Sequence, residues 1–193
     1  MDKKDKKFYA ERIKSIVREL ILEEKSYLEF TLYPLLQTRS AVLDEFKNKQ
    51  NQIKSIFKNI NKLYEIHYDF FLKKINYKNI NINQFCGCLK QFSYKLIIIY
   101  QKFYSDFAKS IKAYKKLDNY IFSVVNSFYQ TNIVESFKKI LIFPLNYCQK
   151  LSMLIILLRK FRFEDEIGKI KLFVDQISEL FIFGKIDNLL KIH

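Results

Sequence analysis

An all-α fold is predicted by two observations: chain breakers are scarce, and apolar residues recur at helical spacing over long runs. The 193 residues include only three glycines (Gly87, Gly168, Gly184) and two prolines (Pro34, Pro144). A strand-rich fold of this size would need many tight turns, and tight turns draw on Gly, Pro or Asn-Gly pairs. Hydrophobic residues make up 49% and charged residues 28%, the balance of a globular chain and not of a disordered one. One helical domain over residues 1–193 is therefore expected, long enough to bury a core without metal or disulfide staples. Its first seven residues, rich in Lys and Asp, read as a solvated tail.

The elements follow from the periodicity. Ile13, Ile16, Val17, Leu20, Tyr27 and Leu28 form one apolar stripe and predict a first helix from residue 8 to the neighbourhood of Pro34. A second is predicted from about residue 40 to 75, carried by Ile53, Ile56, Phe57, Ile60, Leu63, Tyr64, Phe70 and Phe71. Four asparagines between residues 76 and 83 mark a loop. Helix resumes over residues 85–117, with room for one break, and a shorter helix covers 119–128. Residues 129–132 form a second loop. A strongly apolar helix spans 134–160, and the last begins at Glu164. Pro144 should kink the 134–160 helix or mark its first turn, since it lacks a backbone donor. There is no internal repeat and no linker rich in Pro, Gly or Ser.

Composition also limits function. The net charge of +14, from 34 basic and 20 acidic residues, points to an anionic neighbour such as an acidic protein face or an acidic membrane surface. The basic residues are spread along every predicted helix, which argues against nucleic acid. Three cysteines make no disulfide framework, and Cys86, Cys88, Cys148 and the two histidines lack metal-ligand spacing. Neither a metal nor a cofactor is expected, and reduced thiols in the cytoplasm are. No apolar stretch approaches the roughly 18 residues that span a bilayer, and none resembles a signal-peptide core at the start.

No catalytic constellation is present either. The glycines are isolated, so there is no phosphate-binding loop. Cys148 and His67 could be paired on paper, but any chain with both residues permits that. His67 falls at helical spacing among Leu63, Ile66, Phe70 and Phe71, where a packed structural histidine is expected. No covalent chemistry is predicted.

Two helices carry anomalies. At about 100° per residue, Glu24 projects into the stripe made by Val17, Leu20 and Tyr27. A carboxylate there is costly unless it is paired, or unless that face meets a partner; it could also sit at the stripe's exposed end beside a lysine. In the 134–160 helix, Leu141, Ile142, Leu145, Cys148 and Ile155 can form a core face. Phe143, Asn146, Lys150, Leu154 and Leu157 then lie opposite, mixing polar heads with large apolar groups. Such a helix suits a central packing position or a protein-binding ridge.

Three segments in order resemble the Dbl-homology domain, the exchange-factor domain that acts on Rho-type small GTPases. The first is Glu19-Leu20-Ile21-Leu22-Glu23-Glu24-Lys25-Ser26-Tyr27-Leu28, which follows E-L-I-x-T-E-x-x-Y-V with Glu23 at the threonine position. The second runs from Ile56-Phe57-Lys58-Asn59-Ile60 through Leu63, Tyr64 and His67 to Phe70-Phe71-Leu72, and resembles I-F-x-N-I-x-x-L/I-Y-x-x-H-x-x-F-L. The third, Leu141-Ile142-Phe143-Pro144-Leu145-Asn146-Tyr147-Cys148-Gln149-Lys150 and the following Leu151 to Ile155, matches L-I-K-P-V-Q-R-I-x-R/K-Y-P-L-L-L less closely. Tyr104-Ser105-Asp106-Phe107 resembles the family's Y-x-x-Y step.

The resemblance implies an elongated bundle of about six helices with the first and third motifs side by side. It implies a guanine-nucleotide exchange domain for a Rho, Rac or Cdc42-type GTPase, cytoplasmic and recruited to membrane, within Rho signalling to the actin cytoskeleton. By the same resemblance Glu24 would grip switch I of the GTPase and Asn146 and Lys150 would lie against switch II, with Leu154 a further expected GTPase contact. Ser178 falls where the family's last helix carries a contacting asparagine, and His67 matches a structural position. Tyr147 stands in place of an arginine, Asn146 of a glutamine and Leu151 of a tyrosine. No pleckstrin-homology domain is expected within these residues. Two alternatives stand beside exchange: a basic helical domain on acidic membranes, and a related module that binds a GTPase or cytoskeletal partner without exchange.

Overall fold

The computed structural model describes residues 3–69, 73–75, 81–128 and 133–184. Among these there are eight α-helices and no strand, so the protein is an all-α bundle. The helices are α1 (Lys3–Tyr27), α2 (Tyr33–Glu45), α3 (Gln50–Ile56), α4 (Ile60–His67), α5 (Ile82–Lys115), α6 (Asn119–Phe128), α7 (Ile133–Arg159) and α8 (Glu164–Gly184). Helix α1 is already under way at Lys3, inside the stretch expected to be a tail.

The first two predicted helices are divided differently from expectation. The chain does not end its first helix near Pro34. One wide π-turn, Leu28–Leu32, joins α1 directly to α2, and the Tyr33 N–H donates to the Leu28 carbonyl. Pro34 then occupies the first turn of α2, where its missing donor is tolerated. The extra residue of the π-turn relieves the clash a proline ring would make inside a regular helix. The break comes later, at Phe46 and the short 3₁₀ turn Lys47–Lys49.

The predicted 40–75 helix is also interrupted between α3 and α4, at Asn59. Its φ of 70° and ψ of −8° are left-handed, a conformation that asparagine tolerates better than most residues. The Asn59 amide donates to Asp106 Oδ2 at 3.0 Å, and Lys58 Nζ donates to Oδ1 of the same carboxylate at 3.1 Å. Partial burial opposes ionisation of Asp106, but these two hydrogen bonds together with the positive charges of Lys58 and Lys109 outweigh it and hold its carboxyl below the ordinary value. One carboxylate on α5 thus ties down the turn that re-aims α4.

Helix α5, 34 residues long and unbroken, is the spine of the bundle. Asn81 caps it by accepting the Asn83 N–H at 2.8 Å. Helices α3, α4 and α8 pack along α5, and α7 lies between α1 and α8. Phe57, Phe103, Phe107 and Phe137 meet edge to face or tilted, with centroids 6.0–6.5 Å apart, and join α5 to α7 and to the end of α3. Residues 129–132, predicted to be a loop, lie outside the described residues, as do 76–80 of the asparagine-rich segment.

Helix α7 runs unbroken through Pro144. A proline leaves the preceding turn short of a rung, and in that turn the Tyr104 hydroxyl donates to the Leu141 carbonyl at 3.2 Å. Contrary to expectation, α7 is long and apolar enough, by length and composition, to cross a membrane, with a mean hydropathy of 1.6. Its apolar surface is used inside the bundle. Ile133, Phe137, Ile140, Leu141, Leu151, Leu154 and Leu158 are all fully buried. A helix apolar nearly all round belongs at the centre of a domain.

The Asn59 turn yields a direct test. Asn59→Ala loses the bond to Asp106 and places a Cβ residue without a local polar compensation in the left-handed region. It should destabilise the domain by about 1–3 kcal/mol in urea denaturation. Asn59→Gly should recover the backbone part of that loss but not the hydrogen bond.

Candidate functional site

Two helices define the site, α1 and α7, which pack antiparallel: Tyr9 meets Phe161, Glu23 meets Lys150 and Tyr27 meets Phe143. Each contributes one stripe with the same spacing. Helix α1 and the π-turn present Glu19, Leu22, Glu23, Ser26 and Phe30; α7 presents Lys139, Ile142, Phe143, Asn146 and Lys150. Positions i, i+3, i+4, i+7 and i+11 fall on one helical face, so the two stripes line the two walls of one groove. The groove encloses about 630 Å³ and is floored by Tyr27, Thr31 and Tyr147. Tyr27 and Phe143 stack across it with centroids 3.8 Å apart and planes 8° from parallel.

Apolar side chains stand unusually open on the α1 wall. Phe30 is 74% exposed and Leu22 54%. Beside them the Lys150 ammonium pairs with the Glu23 carboxylate, the side chains being 35% and 38% exposed. An ion pair this open contributes only about 0–1 kcal/mol, so it shapes the groove more than it holds the helices together.

Glu24 is not in this groove, which corrects the expectation drawn from the resemblance. It is 1% exposed and turned into the core, where a hydrogen bond joins its carboxyl to His67 Nδ1 on α4. His67 Nε2 lies 2.9 Å from the Tyr100 hydroxyl of α5, and that hydroxyl is 3.3 Å from the hydroxyl of Tyr27 on α1. The apolar stripe of α1 tolerates a carboxylate because the carboxylate is paired, the first of the alternatives its position left open. Beside the pair, an interior void of about 10 Å³ is bordered by Tyr147, Phe173 and Ile177, room for one water at most.

Burial raises the Glu24 carboxyl above its ordinary 4.5, outweighing the attraction and the hydrogen bond of His67, and the nearby Glu23 adds to the rise. Burial likewise pushes the Tyr27, Tyr100 and Tyr147 hydroxyls well up. Glu24, His67, Tyr100 and Tyr27 form one hydrogen-bonded chain inside the bundle.

Of the other expected contacts, Asn146 is exposed on the α7 wall next to Lys150. Leu154 is fully buried in the core and cannot touch a partner. The expected core face of α7 was turned too far, for Leu145 is 40% exposed whereas Leu154 points inward. Ser178 is exposed on α8, but its hydroxyl donates to the Val174 carbonyl at 2.7 Å and it does not line the groove. The residues that sequence reasoning missed are Glu19, Glu23 and Phe30. Their signal was present in the i, i+4 and i+11 spacing on the polar edge of the α1 stripe.

Cys86, Cys88 and Cys148 are free and buried, and burial pushes the Cys86 and Cys148 thiols up to about 12. Thiols of that kind are inert.

An open groove between two antiparallel helices, lined by half-exposed charges and large apolar side chains, marks a helical protein-binding domain. The family model of the RhoGEF domain matches residues 16–160, well over half of the chain, and the chain belongs to that family. Domains of this family are regulators that bind Rho-family GTPases. No curated protein matches the chain. The matched span includes both walls of the groove and the Glu24–His67 pair, and it ends before α8.

The pair separates structural from surface roles. Glu24→Ala should strand His67 in the core and lower stability by roughly 1–3 kcal/mol. Glu24→Gln, which retains a hydrogen-bond partner for the ring, should cost less. Because the folded carboxyl is raised, its protonation contributes stability that is fully present below about 4.5 and is lost as pH rises through the folded value. The stability of the unaltered protein relative to Glu24→Gln should therefore decline in denaturation series run from pH 4.5 towards 8.

Proposed function

We propose that this chain is a guanine-nucleotide exchange domain for a Rho-type small GTPase, and that the α1–α7 groove receives the GTPase switch segments. The observation that carries the proposal is the coincidence of the family match with the groove. Residues 16–160 span both walls, and the groove combines exposed aromatic and aliphatic side chains with a half-exposed lysine. Interfaces of this kind place apolar anchors centrally and polar groups at the rim.

Exchange on such a surface needs no bond-making chemistry. A surface that binds the switches in a conformation unable to hold Mg²⁺ and nucleotide lowers nucleotide affinity by linkage, by as much as the two switch conformations differ in affinity for the groove. In this proposal Phe30 and Phe143 supply apolar contact, Lys150 supplies a cation, and Asn146 supplies an amide beside it. Ser178 on α8 is a further candidate contact at the periphery. The buried Leu154 and Glu24 hold the walls in place from behind.

Release of a fluorescent guanine nucleotide from Rho-, Rac- and Cdc42-type GTPases tests the proposal. At least one of them should release nucleotide faster with the chain present, and no acceleration on any would reject exchange. Lys150→Ala and Asn146→Ala should each slow that release several-fold while leaving the melting temperature nearly unchanged, since both side chains face the groove and not the core.

A further inference from the structure

Building on the exchange reading, we propose that Glu23, together with Glu19, forms the partner-facing acidic spot of the groove and selects a GTPase segment that carries a lysine or arginine. The resemblance to the family points to Glu24, but the structure closes that possibility: the Glu24 carboxyl is committed to His67 inside the bundle. The next residue back along the chain takes its place at the surface. Glu23 is also where the chain departs from the threonine of the family motif.

Glu19 and Glu23 stand four residues apart, one above the other on the α1 wall. Opposite them is a single ammonium, that of Lys150, which pairs with Glu23. Glu19 accepts a hydrogen bond from the Ser15 hydroxyl at 3.3 Å and forms no ion pair among the described residues. Among the residues that line this end of the groove there is therefore one carboxylate more than there are cations, in a chain whose net charge is +14. The α7 wall reaches its other cation, Lys139, eleven residues away, roughly 16 Å along the helix at 1.5 Å per residue. That is beyond a Debye length in physiological salt, about 8 Å, so Lys139 does little to cancel the spot.

Charge complementarity then defines the occupant. A basic side chain arriving between Glu19 and Glu23 would neutralise the excess charge without displacing Lys150, and its apolar stem would lie along Leu22. A carboxylate at the same place would face two like charges and be rejected. The Glu23–Lys150 pair positions Glu23 for this role. Being half exposed, it costs little to loosen as the partner docks.

The test measures binding of the nucleotide-free GTPase that responds best in the release assay. Glu19→Gln/Glu23→Gln should weaken binding at least ten-fold, flatten its salt dependence and leave the melting temperature within a degree or two. Glu23→Lys should weaken it further. Reversing the basic residues of the GTPase switch segments to glutamate one at a time should yield one variant whose binding is restored by Glu23→Lys. Glu24→Gln serves as the contrast, since it should change stability while leaving binding within about two-fold. If the unaltered chain binds and the double glutamine variant binds as well, this inference falls and the exchange proposal stands. If the unaltered chain binds no GTPase, both fall.

Discussion

The buried hydrogen bond between Glu24 and His67 is the constraint on which the rest of the arrangement depends. It joins α1 to α4, and through the hydroxyls of Tyr100 and Tyr27 it continues to α5 and back to α1. A carboxyl and an imidazole taken out of water each cost several kcal/mol unless every polar atom finds a partner. The cost is offset only in one arrangement of the three helices, so the network specifies register where apolar packing alone would allow slippage. Because α1 turns about 100° per residue, a Glu24 directed inward directs Glu23 towards α7 and leaves Leu22 and Phe30 open. The rotation of the groove wall is thus a consequence of a bond made behind it.

The opposite wall depends on how α7 is held. Tyr147 is buried between Phe143 and Phe173, with centroid distances of 5.6 and 6.3 Å. Where the family pattern places an arginine, this chain has an aromatic ring that joins α7 to α8 and supports the stacked Tyr27–Phe143 pair from below. The fully buried Leu151 likewise replaces a tyrosine of that pattern. Both departures fall on the inward side of α7 and leave Asn146 and Lys150 on the outward side. The differences from the family pattern at 147 and 151 therefore alter how the wall is supported more than what it presents.

Most of the helical content was legible because apolar periodicity is a local signal, and the limits of α5, α6, α7 and the start of α8 came within a few residues of prediction. What periodicity could not show were features decided by distant partners. A left-handed asparagine at 59 is invisible until Asp106, 47 residues later, is seen to hold its amide. Pro34 reads as a stop, yet a π-turn before it lets the rod continue, because one wide turn costs less than exposing apolar residues on both sides of a break. Leu154 and Leu145 exchanged their expected roles since a helix apolar nearly all round has no face that sequence alone can orient. Glu24 is anomalous within its stripe on the sequence alone. Choosing between a buried pair and a partner contact required His67 to be found opposite it, and that is tertiary information.

The same division explains how one short motif can serve both core and surface. In Glu23-Glu24 two identical side chains stand next to each other, and helical geometry alone sends them to opposite environments. Glu24 loses its water and is compensated by fixed hydrogen bonds, which makes it part of the scaffold. Glu23 keeps about a third of its exposure and a loosely held lysine, which leaves it able to exchange partners. A rigid buried pair beside an adaptable exposed one suits the exchange mechanism proposed above, which acts by differential binding. In that proposal the scaffold keeps the groove in one shape, so the energy of docking would be spent on the conformation of the partner and not on that of the bundle.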